Sequence, residues 1–273
     1  MEEYVFVNKA NWESRVALHV ASSEYGLQSY VDDAAHLSNV VLFDRVRLGD
    51  IADKDVVHLQ CHIGTDTLSL ARLGARVTGL DFSPTALNAA RKLAADCEQK
   101  VRYVESELYG APAVLGFNRF DVVYTGVGAL CWLPDIKRWA SVVSSLLRPG
   151  GRLFIREAHP MLWALGDARS DGLIAVDYPY FETAGTTFVE SKTYVDHDDA
   201  VTSPETLQFN HGLGEIITAL LRAGMEISAL EEHDSVPYPA LEALMQPIGG
   251  GEYRLIDRPE RVAMSYTLQA VKH

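Results

Sequence analysis

The stretch 56–83 constrains the fold of this 273-residue chain more than any other part of the sequence. It begins with a short β-branched run, passes through a turn into the helical pattern 65–73, and stops at Gly74. A second apolar run follows and ends at Asp81. Glycine is typical of the left-handed residue that closes a helix. The stretch therefore predicts a strand–helix–strand unit whose first turn lies at the carboxyl edge of a parallel sheet.

Such a unit offers two chemical groups to a nucleoside ligand. The turn and the helix start present unpaired backbone N–H groups, which suit a carboxylate or a phosphate. Asp81 follows Gly64 by 17 positions, close to the interval of about 20 at which an acidic residue accepts ribose hydroxyls. A pyrophosphate requires a GxGxxG turn, but Gln60 and His62 stand where small residues are expected. Dinucleotide binding is therefore disfavoured.

The segment HLQCHIGTDTLSLARLGARVTGLDFS, residues 58–83, resembles the first motifs of class I S-adenosylmethionine-dependent methyltransferases. Within that family it is similar to a bacterial subgroup that carries HLQCH in place of the glycine-rich turn. The resemblance covers about residues 38–157. It implies that the chain binds S-adenosylmethionine and releases S-adenosylhomocysteine.

The same resemblance implies a set of cofactor contacts. Asp81 would accept the ribose hydroxyls, Glu107 would accept a hydrogen bond from the adenine amine, and the backbone N–H of Leu108 would meet a ring nitrogen. The full set expected around the cofactor is His58, Gln60, Cys61, His62, Gly64, Asp66, Asp81, Phe82, Ser83, Glu107, Leu108, Thr125 and Gly126.

The rest of the chain fits an α/β domain of the same kind, expected to span residues 1–273. Further apolar runs predict strands at 101–104, 120–125, 152–157, 225–232 and 262–271, with helical patterns between them. The family resemblance implies a Rossmann-like, seven-stranded mixed sheet of order 3-2-1-4-5-7-6, flanked by helices, in which strand 7 is antiparallel. We predict a loop for residues 237–252.

Two segments are expected to cover this domain. Residues 1–50 carry two helical patterns, and the family resemblance implies that they form an N-terminal helical cap over the cofactor. Residues 158–210 are irregular, and in the family a segment inserted after strand 5 forms a substrate lid; its runs 173–176 and 187–194 predict a hairpin. Aromatic and histidine side chains of the cap could shield the sulfonium or could simply pack on the sheet: Trp12, His19, Tyr25 and Tyr30.

The amino-acid composition limits the kinds of partner that the chain could bind. The net charge of −13 and the pI near 5.1 argue against a nucleic-acid partner, since such binding depends on neutralising phosphates with Lys and Arg. Three scattered cysteines imply no disulfide framework. We expect a cytoplasmic monomer or homodimer that acts on a small molecule, with no membrane segment.

Residues that would contact the methyl acceptor are harder to identify. His159 follows the fifth strand and His211 precedes a helix, so either could be a general base. Otherwise His159 could only pack under the insert, and His211 could only cap the helix. Three further side chains are candidates for acceptor contacts: Trp132, Tyr180 and Asn210. No metal site is expected, because no second His/Cys cluster completes a ligand set with His58, Cys61 and His62.

The expected function is methyl transfer from S-adenosylmethionine to an oxygen or nitrogen of a small molecule. The end of strand four lacks the Asn/Asp-Pro-Pro-aromatic motif of enzymes that methylate adenine N6, and Cys131 is not preceded by proline as in cytosine C5 enzymes. Three alternatives remain at this point. They are a cofactor-binding protein with changed chemistry, a Rossmann NAD(P) oxidoreductase, and a non-catalytic interaction protein.

Overall fold

The computed structural model describes residues 3–181, 184–196 and 199–273. The predictions for the 1–50 cap and the 158–210 lid therefore include residues outside the described part, namely 1–2, 182–183 and 197–198. The α-helices in chain order are α1 Glu3–Ala21, α2 Leu27–Asp32, α3 Asn39–Leu48, α4 Thr65–Arg72, α5 Pro84–Asp96, α6 Ala111–Leu115, α7 Ile136–Leu146, α8 Pro160–Trp163 and α9 Leu213–Arg222. The strands are β1 Asp55–Leu59, β2 Arg76–Asp81, β3 Arg102–Glu105, β4 Phe120–Thr125, β5 Leu147–Ala158, β6 Thr186–Val189, β7 Glu205–Gln208, β8 Met225–His233, β9 Ser235–Val236, β10 Met245–Gly249, β11 Glu252–Leu255 and β12 Ser265–Lys272.

Seven of these strands form one sheet in the order β3-β2-β1-β4-β5-β12-β8. The first five strands in chain order run parallel, and β12 lies antiparallel between β5 and β8. With β8 counted as strand six and β12 as strand seven, this confirms the order 3-2-1-4-5-7-6 and the antiparallel last strand. The Rossmann-like fold class is therefore confirmed.

Helices cover both faces of the sheet because its strands are apolar on both faces. In β4, Val123 packs in the cluster that contains helices α7 and α9. Its neighbours Val122 and Tyr124 pack in the opposite cluster with residues of α3 and α4. Since successive side chains of a strand point to opposite faces, one short run supplies both cores.

Local capping chemistry sets the helix start beside the predicted ribose site. Ser83 precedes α5, and its hydroxyl accepts a hydrogen bond from the Ala86 N–H at 3.0 Å. Pro84 occupies the first helical position, where its missing N–H costs nothing. Helix α5 therefore starts at Pro84, three residues after Asp81 at the end of β2.

Two predictions outside the main sheet are wrong in detail. The run 173–176 forms no strand; only Val176 makes an isolated bridge, to Leu165. β6 pairs instead with β7. The predicted loop 237–252 takes part in a three-stranded sheet of order β10-β11-β9. Beyond its first residue β10 is exposed, so it lacks the period-two apolar pattern that would reveal a strand.

The cap and the insert contact each other directly. Asn8 of α1 donates from Nδ2 to the Leu207 carbonyl at 2.9 Å and accepts the Leu207 N–H at 2.9 Å. Asn11 donates to the Ser203 carbonyl at 2.7 Å. Helix α1 is thus fastened to β7 and lies over the carboxyl edge of the sheet. Of the helices in the described ranges, none combines the length and the apolarity that a bilayer crossing requires.

Candidate active site at the carboxyl edge of the sheet

A cavity lies where β1, β2 and β4 end, beneath α1 and beside the loop that follows β4. This is the edge at which parallel α/β sheets bind ligands. Ten of the residues expected around the cofactor line it: His58, Gln60, Cys61, His62, Asp66, Asp81, Phe82, Glu107, Leu108 and Gly126. The structure therefore brings together four stretches that are separated in the sequence.

The turn after β1 adopts an unusual backbone. Gln60 has φ of 56° and His62 has φ of 48°, a left-handed conformation that costs a non-glycine residue roughly 1–2 kcal/mol. The side chains nevertheless have defined positions. Gln60 donates from Nε2 to the Ala129 carbonyl at 3.0 Å, while its buried Oε1 finds no hydrogen-bond partner among the described residues. Gln60 thus brings a hydrogen-bond acceptor without a partner among the described residues, its Oε1, to the wall of the cavity.

Asp81 holds this turn from the neighbouring strand. Its Oδ2 accepts the His62 N–H at 2.8 Å and its Oδ1 accepts the Ser83 N–H at 2.9 Å. Burial raises the pKa of this carboxyl to about 6, and the backbone hydrogen bonds oppose that rise. A carboxylate has about four lone-pair sites, so Asp81 keeps capacity for hydroxyl donors inside the cavity.

The β3 end of the cavity combines one carboxylate with apolar walls. Glu107 accepts the Tyr109 N–H at its Oε2 at 2.8 Å, which orients the side chain at the start of a short 3₁₀ helix. Phe82 and Leu108 line the cavity nearby, together with Val5 from α1. A flat aromatic ligand with one donor group would match this combination of surfaces.

Three of the expected cofactor residues contact protein instead of the cavity. A Cβ on Gly64, whose φ is 82°, would lie 2.7 Å from the Ala90 Cβ and from the Tyr103 hydroxyl. Gly64 therefore permits the start of α4 to approach α5 and β3 closely. Ser83 caps α5, and Thr125 is fully buried.

Two histidines line the cavity, and burial keeps both neutral. His58 lies with Nδ1 2.8 Å from the Thr67 hydroxyl, and burial lowers its pKa to about 3. Burial also lowers the pKa of His62 well below its usual value. The Nε2 atom of His62 lies 2.7 Å from Nδ1 of His19, whose Nε2 lies 2.7 Å from the Thr193 hydroxyl. The cap, the turn after β1 and the insert therefore meet at the rings of His19 and His62.

The two histidines expected to act as a base lie elsewhere. The His211 ring has Nε2 2.6 Å from the Leu133 carbonyl and Nδ1 3.3 Å from Glu215. His159 caps α8 by accepting the Met161 N–H at Nδ1, 3.0 Å away. Neither lines the cavity. The base roles of His211 and His159 stay predictions, and both rings make structural contacts.

Of the three side chains expected to contact the acceptor, one lines the cavity and two make contacts elsewhere. Trp132 lines the cavity and donates from Nε1 to the Gly128 carbonyl at 2.7 Å. Asn210 donates to the carbonyls of Pro160 and Pro179, each at 2.9 Å. The Tyr180 hydroxyl accepts the Leu213 N–H at 3.3 Å. Asn210 and Tyr180 thus hold the insert against α9, and only Trp132 borders the cavity.

Glu157, at the end of β5, is a residue that sequence reasoning missed. Its buried carboxylate accepts the backbone N–H groups of Gly128, Ala129 and Leu130. The last two bonds measure 2.8 Å each. Burial raises its pKa to about 6. Glu157 therefore holds the loop after β4 in place, and an acidic residue ending a buried strand was the available signal.

Other cavity residues that were not predicted come from α1, the loop after β4 and the insert: Tyr4, Val5, Asn8, Val127, Gly128, Ala129, Leu133 and Tyr194. Trp12 of the cap does line the cavity, with its ring edge-on to His62 at 4.9 Å and to Trp132 at 5.4 Å between centroids. Within the described residues, no group of three or more His, Cys, Asp or Glu side chains converges as metal ligands would.

Comparison with known proteins agrees with this geometry. Residues 57–153 match a family model described as a methyltransferase domain. A 108-residue segment is 36% identical to the ubiquinone biosynthesis O-methyltransferase of Serratia proteamaculans. That segment covers 40% of this chain and 44% of the relative, so less than half of the relative's length is matched.

Solved structures share the fold at low sequence identity. An S-adenosylmethionine-dependent methyltransferase from Mesorhizobium loti superimposes with a TM-score of 0.60 and 21% identity, over 86% of this chain and 98% of the other. Another from Clostridium acetobutylicum gives a TM-score of 0.56 and 14% identity, over 86% and 89% of the two chains. At these identities the likeness establishes the fold.

Proposed function

Because this chain carries a class I S-adenosylmethionine-dependent methyltransferase domain, we propose that it transfers a methyl group from S-adenosylmethionine to a small-molecule acceptor. We further propose oxygen as the acceptor atom. The relative from Serratia proteamaculans, named as an O-methyltransferase, supports oxygen over nitrogen.

The observation that carries the proposal is the pairing of Asp81 with the Gln60 turn. Both present buried polar groups at one cavity. Asp81 has spare acceptor capacity for two ribose hydroxyls, and the Gln60 Oε1 lacks a partner among the described side chains, as suits a cofactor ammonium. Glu107 and Leu108 would meet the adenine edge, between apolar walls that include Phe82. These groups support binding of the adenine, the ribose and the ammonium of the cofactor.

When bound, S-adenosylmethionine supplies a methyl group that positive sulfur already activates. The protein must then orient an acceptor in line with that methyl and exclude water. Trp12 and Trp132 wall the cavity from the cap and from the loop after β4. Glu157 fixes the same loop by accepting its N–H groups. These contacts favour a rigid, largely dry acceptor site.

An acceptor oxygen that carries a proton needs a group to receive it. We assign this role to His62. It lines the cavity, burial keeps it neutral, and its Nε2 is paired with His19. The His19–Thr193 contact then continues the chain of hydrogen bonds away from the cavity. His211 lacks this geometry because it does not line the cavity.

The proposal is tested by following release of S-adenosylhomocysteine from S-adenosylmethionine in the presence of a metabolite library rich in phenols, catechols and amines. We expect release that depends on one structural class of hydroxylated acceptor and that Asp81→Ala abolishes. Tight cofactor binding with no acceptor-dependent release from any class would contradict methyl transfer and favour a cofactor-binding role.

A further inference from the structure

Arg15 of α1 is a buried cation that forms no ion pair with the described residues. Its exposed fraction is 5%, and its Nε has no hydrogen-bond partner in the described part of the chain. Its guanidinium carbon lies 5.5 Å from the centroid of the Trp12 ring, which provides a weak cation–π contact. Burial lowers the pKa of this guanidinium. Burying a charge without pairing is expensive, so its position requires an explanation.

Other buried arginines of the same chain are paired. Arg156 is fully buried and donates to both carboxylate oxygens of Glu252, at 3.0 and 2.8 Å. The half-buried Arg72 donates to three backbone carbonyls, including that of His36 at 2.7 Å. Both of these arginines thus have hydrogen-bond acceptors, whereas Arg15 makes no hydrogen bond to any described residue.

Arg15 lies beside a wall of the cavity, because the Trp12 ring that it contacts lines the cavity. Tyr194, Glu190 and Cys131 act on it electrostatically; the first two belong to the insert and the third to the loop after β4. A second unpaired donor, the hydroxyl of Tyr238, shares the neighbours Cys131 and Tyr194. That hydroxyl is buried and has no partner within the described ranges. Arg15 and Tyr238 thus share two neighbours, of which Tyr194 lines the cavity.

We propose that Arg15, assisted by the Tyr238 hydroxyl, binds a carboxylate carried by the methyl acceptor. The guanidinium fork matches a carboxylate in a bidentate way, and the single positive charge balances a single negative one. The exposed Glu190 near Arg15 disfavours a dianion such as a phosphate monoester. Trp12, Trp132 and Tyr194 line the adjoining cavity, so the acceptor class is an aromatic carboxylic acid. This inference rests on the proposed methyl transfer and names the substrate class for that site.

The test uses matched probes, 4-hydroxybenzoate with 4-hydroxybenzamide and 3-phenylpropionate with its amide. Each is titrated calorimetrically into the full chain saturated with S-adenosylhomocysteine. We expect at least one acid to bind tenfold or more tightly than its amide. Arg15→Met should remove that preference while changing the affinity for S-adenosylhomocysteine by less than twofold. Arg76→Met, which removes the same charge at an exposed position, should preserve the preference.

Thermal unfolding without ligand separates a binding role from a structural one. Because an unpaired buried charge destabilises the fold, Arg15→Met should melt at the same temperature as the wild type or higher. Arg15→Lys should keep part of the acid preference. A wild-type complex that shows no acid preference would overturn the inference alone, whereas failure of S-adenosylhomocysteine to bind would contradict the proposed function itself. Loss of S-adenosylhomocysteine affinity in Arg15→Met would also overturn it, since the cofactor carboxylate would then be the partner.

Discussion

The Nδ1 atom of His19 lies 2.7 Å from the Nε2 atom of His62, so helix α1 and the turn after β1 are joined through two imidazoles. The other ring nitrogen of His19 lies 2.7 Å from the hydroxyl of Thr193 in the insert. Three parts of the chain that surround the cavity therefore meet on one buried ring. The His19 ring therefore links the positions of α1 and the insert to the conformation of the turn after β1.

The first prediction concerns the pH dependence of stability. Burial lowers the pKa of His19 from 6.5 to about 3. Between these values the unfolded chain binds the proton and the folded chain does not, so stability falls as pH falls below 6.5. Each pH unit in this window costs about 1.4 kcal/mol per group. The free energy of unfolding of the wild type should therefore fall between pH 7.5 and pH 5. In His19→Gln the fall over the same range should be smaller by about 2 kcal/mol.

Chemical denaturation at the two pH values measures this difference. His273→Gln, which changes an exposed terminal histidine, is the control and should lose as much stability as the wild type. If His19→Gln and the wild type lose the same amount, the buried neutral pair is not a determinant of stability.

The second prediction concerns the cover formed by α1 and the insert. Asn8→Ala removes two hydrogen bonds to the backbone of Leu207, so β7 should detach more often from α1. Trypsin should then cleave at the exposed Lys192 several-fold faster. S-Adenosylhomocysteine should slow cleavage in the wild type. Gln28→Ala, which removes an exposed bond within α2, should leave the rate unchanged; equal cleavage with and without ligand would argue against a cover that closes.

The strands of the main sheet were predictable because each contains an apolar run with clear breaks, and such runs are diagnostic where they are buried on both faces. The small sheet of β9, β10 and β11 was missed for the opposite reason. Residues 246–249 of β10 are exposed and include Pro247, so their pairing depends on tertiary contacts that no local pattern records.

The cofactor side of the site was predictable because its groups are close in sequence. The turn and Asp81 belong to one strand–helix–strand unit, and the His62 N–H lies 19 positions from the carboxylate that accepts it. The acceptor side draws on distant segments. Glu157 reaches back 29 positions to Gly128, and Asn8 contacts Leu207 across 199 positions. The base role of His211 stays a prediction, because a histidine at a helix start can serve either chemistry or structure.

The third prediction concerns Gly64. Adding a methyl group would place it 2.7 Å from Ala90 and Tyr103 in addition to straining a φ of 82°. Gly64→Ala should therefore destabilise the fold by about 3 kcal/mol or more. Gly224→Ala provides a matched control, because its φ is 77° and nothing lies within 4 Å of an added Cβ; it should cost only about 1 kcal/mol. Equal losses for the two variants would show that strain alone matters.

The fourth prediction separates the two candidate bases once an acceptor is known. His62→Gln should lower kcat by about 10²–10⁴-fold, the usual range for losing a general base. His211→Gln should retain kcat within a few-fold and lower the melting temperature, because its ring bridges Leu133 and Glu215. Steady-state rates at saturating cofactor make the comparison. Normal turnover in His62→Gln together with loss in His211→Gln would reverse the assignment.

The central claim is that the cavity at the end of β1 and β2 binds S-adenosylmethionine through Asp81. Isothermal titration of S-adenosylhomocysteine, NAD and NADP into the wild type and into Asp81→Ala tests it most directly. We predict that only S-adenosylhomocysteine binds the wild type, and that Asp81→Ala weakens it by about tenfold to a hundredfold, the effect of losing roughly 1.5–3 kcal/mol of hydrogen bonding to a charged group. Preferential binding of NAD or NADP, or an unchanged dissociation constant in a folded Asp81→Ala variant, would contradict the claim.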